Sequence, residues 1–329
     1  MSFWDGKNVV VTGGAGFIGS HLTEYLVWDG AQVTVVDNLQ RGRLSNLEAV
    51  IDDIRLIRGD LQDLTVCETA FAGMDMVLNL AAKVTSISYN SEHQADMFTQ
   101  NMLLQCNPLK AAHSVGVPRF VQCSTACVYP HDAPVPTPEE WGHQGEPEPT
   151  NAGYGWAKRM GEKQAMWFDE ETDMEVVIVR PFNAYGPRDY YDEETSHVAP
   201  ALIKKVLDGD DPLEVWGSGE QTRALVHAKD FAKGIQLCAE KAGDSSPINI
   251  GHDEETSIRQ LAETILDLAD ARDRDIFYNT DMPEGYPRRA ADVTRLKEVT
   301  DGFVPSISLE EGLTEMIEWY RQHGDAAGN

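Results

Sequence analysis

In the segment NAGYGWAKRMGEKQ, Tyr154 and Lys158 stand four residues apart, a spacing that puts both side chains on one face of a helix. A phenol becomes a useful proton shuttle near neutral pH only where a neighbouring positive charge stabilises its phenolate, and an ammonium does that. Taken alone the pair is better read as an exposed structural contact. Upstream, QCSTACVYP follows the apolar run RFV and offers two hydroxyls, Ser124 and Thr125, and a thiol, Cys127. A free cysteine behind a strand end is usually small-hydrophobe packing, and His197 after ETS is by itself an exposed loop residue. As chemistry, a thiol and an imidazole have ordinary pKa values of about 8.5 and 6.5 and bracket neutrality, as a base and a proton donor on opposite faces of a carbon would.

A third motif supplies a partner for such groups. KNVVVTGGAGFIGSHLTEYLVWDGAQVTVVDN reads as strand, glycine turn, amphipathic helix, strand, with apolar positions Ile18, Leu22, Tyr25 and Leu26 at helical spacing. Gly14, Gly16 and Gly19 form G-x-G-x-x-G at the turn. Glycines there permit the tight turn, close approach of a pyrophosphate and close helix packing, and the helix N-terminus supplies amide donors. Asp37 closes the second strand about 20 residues on, where a carboxylate accepts hydrogen bonds from ribose hydroxyls and repels a 2′-phosphate. The expected cofactor is NAD rather than NADP, although Arg41 and Arg43 follow closely and could hold a 2′-phosphate.

The elements that must position these residues alternate. Further strands are predicted at IRLIRGD, DMVLNLAA, RFVQCST and EVVIVRP, with helices between them over 95–115 and 154–171. That alternation specifies an α/β fold, a Rossmann-type doubly wound parallel sheet covered on both faces. The proline-rich YPHDAPVPTPEEWGHQGEPEPTN must be mostly loop, and its place after a strand puts it over the carboxyl edge of the sheet, where such folds bind ligands. The pattern loosens after about residue 181 and ends in a helix at SLEEGLTEMIEWYRQH. The expected division is an NAD-binding domain over 1–180 with 226–250, and a smaller α/β substrate-binding cap over 181–225 and 251–329.

Composition narrows the partners. The 329 residues hold 54 acidic and 27 basic side chains, a net charge of −27, so nucleic acid is a poor partner for the surface as a whole. The acidity is spread through ordinary hydrophobic sequence and reads as habitat, a solubility strategy in a salty cytosol, not as mechanism. Five scattered cysteines (67, 106, 123, 127 and 238) show no C-x-x-C pair and no zinc-ligand spacing, so neither a disulfide framework nor a metal is expected. The N-terminus carries no signal-peptide pattern, and no stretch reaches the roughly 18 apolar residues of a membrane span. A cytoplasmic protein with no membrane partner is expected.

The glycine fingerprint, the hydroxyls at Ser124 and Thr125, and the Tyr154/Lys158 pair together resemble the extended branch of the short-chain dehydrogenase/reductase superfamily, the NAD-dependent epimerases and dehydratases. That resemblance implies that Thr125, Tyr154 and Lys158 remove a proton from a sugar hydroxyl while NAD takes a hydride. It also implies a cofactor cradle along four strand ends: Gly13, Gly14, Gly16, Phe17, Ile18 and Gly19; then Asp37 and Asn38; then Asp60 and Leu61; then Ala81, Ala82 and Lys83, with Tyr154 and Lys158 closing it.

The segments AAKVTSI, QNMLLQCN, STACVYP, EPTNAGYGWAKRMG, FNAYGPRDYYDEETSHVAPAL, VWGSGEQTR and PEGYPRRAADVTRL are similar, in order, to those of the GDP-L-fucose synthase family. In that family the matching cysteine and histidine, here Cys127 and His197, move protons at carbons 3 and 5 of a 4-keto sugar. The same resemblance implies that Lys83, Thr125, Asn183, His197, Val198, Lys205, Trp216, Arg223 and Arg288 contact a nucleotide-diphosphate sugar, GDP-hexose being expected. It further implies a homodimer formed through the helices at 95–115 and 154–171. Two departures stand out: Ala15 replaces an arginine of that NADPH-using family, and Asp37 supplies a ribose acid that it lacks. Both are closer to GDP-mannose 3,5-epimerase, which returns its hydride but typically uses lysine where this chain has His197. The rival readings are a UDP-sugar 4-epimerase, with Cys127 and His197 as bystanders, and a non-catalytic dinucleotide-binding regulator.

Overall fold

A computed structural model of the protein describes residues 2–85, 87–192, 196–282 and 285–324. Parts of three segments noted above, at 86, 193–195 and 283–284, lie outside the described residues.

Seven parallel strands form the central sheet. Six come in order along the chain up to Pro181: β1 (Asn8–Thr12), β2 (Gln32–Asp37), β3 (Ile54–Arg58), β4 (Met76–Asn79), β5 (Arg119–Cys123) and β6 (Glu175–Pro181). The seventh, Ile248–Ile250, pairs with β6. The spatial order is Ile248–Ile250, β6, β5, β4, β1, β2, β3. It reverses direction between β1 and β4, and the crevice above that point is where open α/β sheets bind ligands. Strands buried on both faces need apolar side chains at every position, and NVVVT, MVLN and EVVIV meet that need. Alternate residues go to opposite faces: Val9, Val11, Leu78, Val121 and Val177 enter one core, and Val10, Val77, Phe120, Val176 and Ile178 the other.

The helices cover those faces. α1 (Phe17–Trp28), α2 (Leu64–Phe71), α3 (Ile87–Glu92), α4 (Gln94–Ser114) and α5 (Ala152–Glu171) precede the irregular half, and α6 (Val198–Asp208) opens it. Gly153, Gly155 and Gly161 line the buried side of α5; a Cβ at Gly161 would stand 2.1 Å from Gln105 Oε1 of α4. The helices therefore lie nearly in contact along their backbones.

The irregular half builds its own core from Leu202, Ile203, Leu213, Val215, Leu261, Ile265, Leu313 and Met316. Ala291, Val293 and Leu296, although late in the chain, pack instead into the core of the large sheet. The proline-rich stretch is loop with short 3-10 turns at Glu139–His143 and Pro149–Asn151, and another, Ala126–Val128, leads into it. Among the described residues no helix is long and apolar enough to cross a membrane, and no three His, Cys, Asp or Glu side chains group as a metal site.

Candidate active site

The turn after β1 is shaped for a diphosphate. Gly13 adopts φ +66°, which favours glycine, and a Cβ at Gly19 would fall 2.2 Å from Gly13 O. α1 begins at Gly16 with no side-chain cap and no acid in its first turn, so its leading amides are left for an anion. Asp37, at the end of β2, is buried; Oδ2 accepts from Ala15 N at 3.1 Å and Oδ1 from Leu39 N at 2.9 Å. Burial raises its carboxyl above the ordinary value, against the pull of those two amides. Asn38, Asp60 and Leu61 follow the ends of β2 and β3. Ala81 after β4 donates its amide to Thr12 Oγ1 at 3.1 Å, and its Cα would lie 3.1 Å from a Cβ at Gly13. Ala82 and Lys83 come next. The Lys83 ammonium is occupied by Asp96 and, at 3.4 Å, by Tyr89 Oη. Arg41 and Arg43 both stack on Tyr190, at 3.8 and 5.4 Å from the ring centre.

Beyond β5 the chain turns sharply. Thr125 caps the turn Ala126–Val128, its Oγ1 accepting from Cys127 N at 3.2 Å. α5 presses on this turn because residue 155 is glycine: a Cβ there would stand 2.5 Å from Cys127 O. One turn of α5 then carries Tyr154 and Lys158 to the same corner, with Lys158 Nζ 5.8 Å from the Tyr154 ring centre and donating to Cys123 O at 2.7 Å. Burial lowers the Lys158 ammonium below its ordinary value. Burial, then the Cys127 and Cys123 thiols, push the Tyr154 phenol up, while its hydrogen bond with Thr125 pulls the other way. The phenol is therefore protonated here and able to donate. Ser124, the other hydroxyl, is turned away, donating to Glu162 Oε1 inside the protein.

That glutamate anchors the corner from below. Glu162 and Arg180 have fully buried side chains and pair through Nε–Oε1 at 2.8 Å and Nη2–Oε2 at 2.7 Å. His143 Nε2 lies 2.8 Å from Glu162 Oε2, and Arg180 Nη1 also donates to Tyr129 Oη at 2.9 Å. Burial alone would raise the Glu162 carboxyl, but Arg180, His143 and Ser124 hold it down at about 2.

Cys127 faces a cation that sequence reading did not single out. Arg289 Nη2 lies 3.6 Å from Cys127 Sγ. Alongside, a cavity of about 350 Å³ is lined by Ala126, Tyr129, Phe182, Tyr286 and both Arg288 and Arg289. Arg288–Arg289 is a two-residue strand, so its side chains take opposite sides: the guanidinium of Arg288 pairs with Glu255 and is 55 % exposed. Asn183 sets the inward arginine, its amide donating to Arg289 O at 3.0 Å and Ala224 O at 3.2 Å. His197, at the N-cap of α6, is more than half exposed and joined through Nδ1 to Asp189 Oδ2 at 2.9 Å. Among the described residues no hydrogen bond joins its ring to Cys127. The structure thus brings Thr125, Cys127, Tyr154 and Lys158 to one corner and leaves His197 outside that hydrogen-bonded set.

The NAD dependent epimerase/dehydratase family model matches residues 9–251. The chain belongs to that family. It is 32% identical over 324 residues to the dTDP-4-dehydro-6-deoxy-D-allose reductase of Streptomyces bikiniensis, covering 97% of this chain and 98% of the other. It is 31% identical over 322 residues to the GDP-L-fucose synthase of Sinorhizobium fredii, covering 97% and 96%. The crystal structure of UDP-glucose 4-epimerase with UDP-glucose from Thermotoga maritima superposes with a TM-score of 0.85 at 30% identity, covering 96% of this chain and 99% of that one. Relatives thus span three nucleotides and both reduction and epimerisation.

In this epimerase/dehydratase the cofactor is NAD, and the open glycine turn with Asp37 behind it fits that group. The remaining residues expected at a substrate lie in the irregular half. Lys205 Nζ pairs with Glu214 at 3.1 Å, and Arg223 Nη1 donates to Thr222 O and Tyr286 O at 2.7 and 2.8 Å. Trp216 ends the strand Leu213–Trp216 half exposed, and Val198 opens α6 against the second core. Glu162, Arg180 and Arg289 were missed because a lone charged residue in a helix, strand or Arg-Arg pair carries no spacing signal; only the fold shows which charge points inward.

Proposed function

We propose that this protein is a nucleotide-sugar epimerase, with GDP-hexose as substrate, that works through a 4-keto sugar. The observation that carries the reading is the placement of Cys127 on the same short turn as Thr125, pressed against the helix that bears Tyr154 and Lys158. Bound NAD supplies the hydride acceptor and donor at carbon 4. Thr125 and Tyr154 hold the oxygen on that carbon, and Tyr154 moves the proton there. Lys158, fixed by Cys123 O, stabilises the phenolate that this transfer leaves.

A ketone acidifies the hydrogens on the neighbouring carbons, and Cys127 and His197 are the acid/base pair that exchanges them on opposite faces at carbons 3 and 5. Arg289, beside the thiol, offers a fork suited to the oxygens of the nucleotide diphosphate, with Lys83, Asn183, Lys205, Trp216, Arg223 and Arg288 placing the rest of the ligand. We also propose a homodimer through α4 and α5, because Phe98, Leu103, Met160 and Trp167 leave large apolar surface exposed on this helix pair. A cytoplasmic location completes the reading.

Incubation with GDP-4-keto-6-deoxymannose in deuterated water tests the reaction. Deuterium at carbons 3 and 5 of recovered sugar supports epimerisation, with or without net reduction at carbon 4. With NADH supplied, reduction at carbon 4 without deuterium at carbons 3 and 5 would leave simple 4-reduction. The second reading has its own support, since the Streptomyces relative is a reductase.

A further inference from the structure

Asp189 is a buried carboxylate with a specific task available to it. Its side chain is 3% exposed, whereas that of its partner His197 is 55% exposed. Oδ1 accepts from Tyr190 N at 2.8 Å and Oδ2 faces His197 Nδ1 at 2.9 Å. The residue before it, Arg188, adopts φ +73°, a left-handed conformation that a non-glycine residue holds only when its surroundings impose it. Those surroundings are visible: Arg188 donates to Ser20 Oγ at 3.2 Å and Glu24 Oε1 at 2.6 Å of α1, and Pro187 O lies 3.4 Å from His21 Nε2. Tyr190 is gripped by Arg41 and Arg43, which follow β2, and Tyr191 is fixed in the second core. The strap 187–191 is thus tied on both sides of Asp189, to the helix that opens the dinucleotide site and to the irregular half.

We infer that Asp189 is the positioning residue of His197, fixing its ring so that Nδ1 carries the proton and Nε2 is the atom that exchanges protons with substrate. A carboxylate accepting from Nδ1–H selects the tautomer with a free Nε2, and among the described residues Nε2 has no hydrogen-bond partner. The proton on Nδ1 stays there throughout; only the Nε2 proton passes to or from the carbon beside the ketone. Charge supports the same assignment: Asp189 raises the imidazolium above its ordinary value against the pull of Arg41, and the amides at the N-terminus of α6 also oppose the cation. The inference rests on the acid/base role proposed for His197.

Two measurements on the NAD-loaded protein test it. Nitrogen-15 NMR of wild type should show neutral His197 protonated on Nδ1, titrating above its ordinary value; protonation on Nε2 instead would overturn the inference without any variant. In Asp189→Asn the titration should move to lower pH. Exchange at one of carbons 3 and 5 of GDP-4-keto-6-deoxymannose should slow by about 10- to 100-fold, the usual effect of removing the partner that orients a histidine, with KM unchanged. Unchanged exchange in Asp189→Asn would overturn the inference. His197→Asn separates failure of the parent reading: if it exchanges both carbons at the wild-type rate, the acid/base role falls and the inference with it, whatever the NMR shows.

Discussion

The thiol of Cys127 stands on a turn anchored by a fully buried ion pair, whereas the imidazole of His197 stands at a half-exposed helix start held by one carboxylate. Under Cys127, Glu162 and Arg180 tie α5 to β6, and Ser124, the last residue before the turn, is bonded to the same glutamate. Around His197 the ties are local and partly in water. A buried pair cannot lose one member without stranding a charge, while an exposed pair can. The two ends of the proposed acid/base pair therefore differ in what disturbs them: losing the ion pair beneath Cys127 costs stability, whereas losing the carboxylate at His197 costs little stability and is read in chemistry.

The largest expected effect lies at the corner common to both ends. Tyr154→Phe should reduce turnover by about 100- to 10,000-fold, the range for a general acid/base group, with NAD still bound in a fluorescence titration. Turnover within a few fold of wild type would remove the phenol from the mechanism. Arg180→Met should come next, lowering unfolding free energy by about 3–5 kcal/mol because Glu162 is left unpaired in the interior. Asp189→Asn should cost less than about 1 kcal/mol on the same urea titration, since His197 is solvated. Equal losses would erase the contrast between the ends.

The contrast has a pH form. Glu162 is held down at about 2 from an ordinary value of 4.5, so its stabilisation is fully present above 4.5 and is lost as pH falls through about 2. His197 is raised from 6.5, so its smaller contribution is present below 6.5 and fades as pH rises through its folded value. Thermal unfolding of wild type against Glu162→Gln should diverge least in acid; against His197→Asn, least in base. A smaller difference is expected between neighbouring arginines. Arg289→Ala should weaken nucleotide-sugar binding by about 10- to 100-fold, as loss of a charged hydrogen bond does, and Arg288→Ala should weaken it less, by about 2- to 5-fold, because its exposed guanidinium is shared with Glu255.

The regular half of the chain was legible because its signals are local. Val9 to Thr12, the glycine turn and Asp37 lie within one βαβ unit whose period switches from strand to helix and back, and six strands of the sheet follow the same rule. The seventh, Ile248–Ile250, is three residues long and too short to show a period. At the site, Tyr154 and Lys158 could be paired from their spacing alone, but that Thr125 faces Tyr154 while Ser124 turns inward depends on the alternation after β5. The choice between Arg288 and Arg289 likewise depends on which side of a two-residue strand faces Cys127. His197 and Asp189 lie eight residues apart with no periodic element between them, so only the folded strap shows their contact.

The central claim is that Cys127 does chemistry. Cys127→Ser keeps a small side chain but offers a hydroxyl too weak an acid to act as base near neutrality. Proton NMR of GDP-4-keto-6-deoxymannose in deuterated water should show carbon-bound exchange at carbons 3 and 5 lost in the NAD-loaded variant, while the same variant supplied with NADH still reduces carbon 4. Full exchange at both carbons in the serine variant would contradict the account, leaving Cys127 as packing at the end of β5.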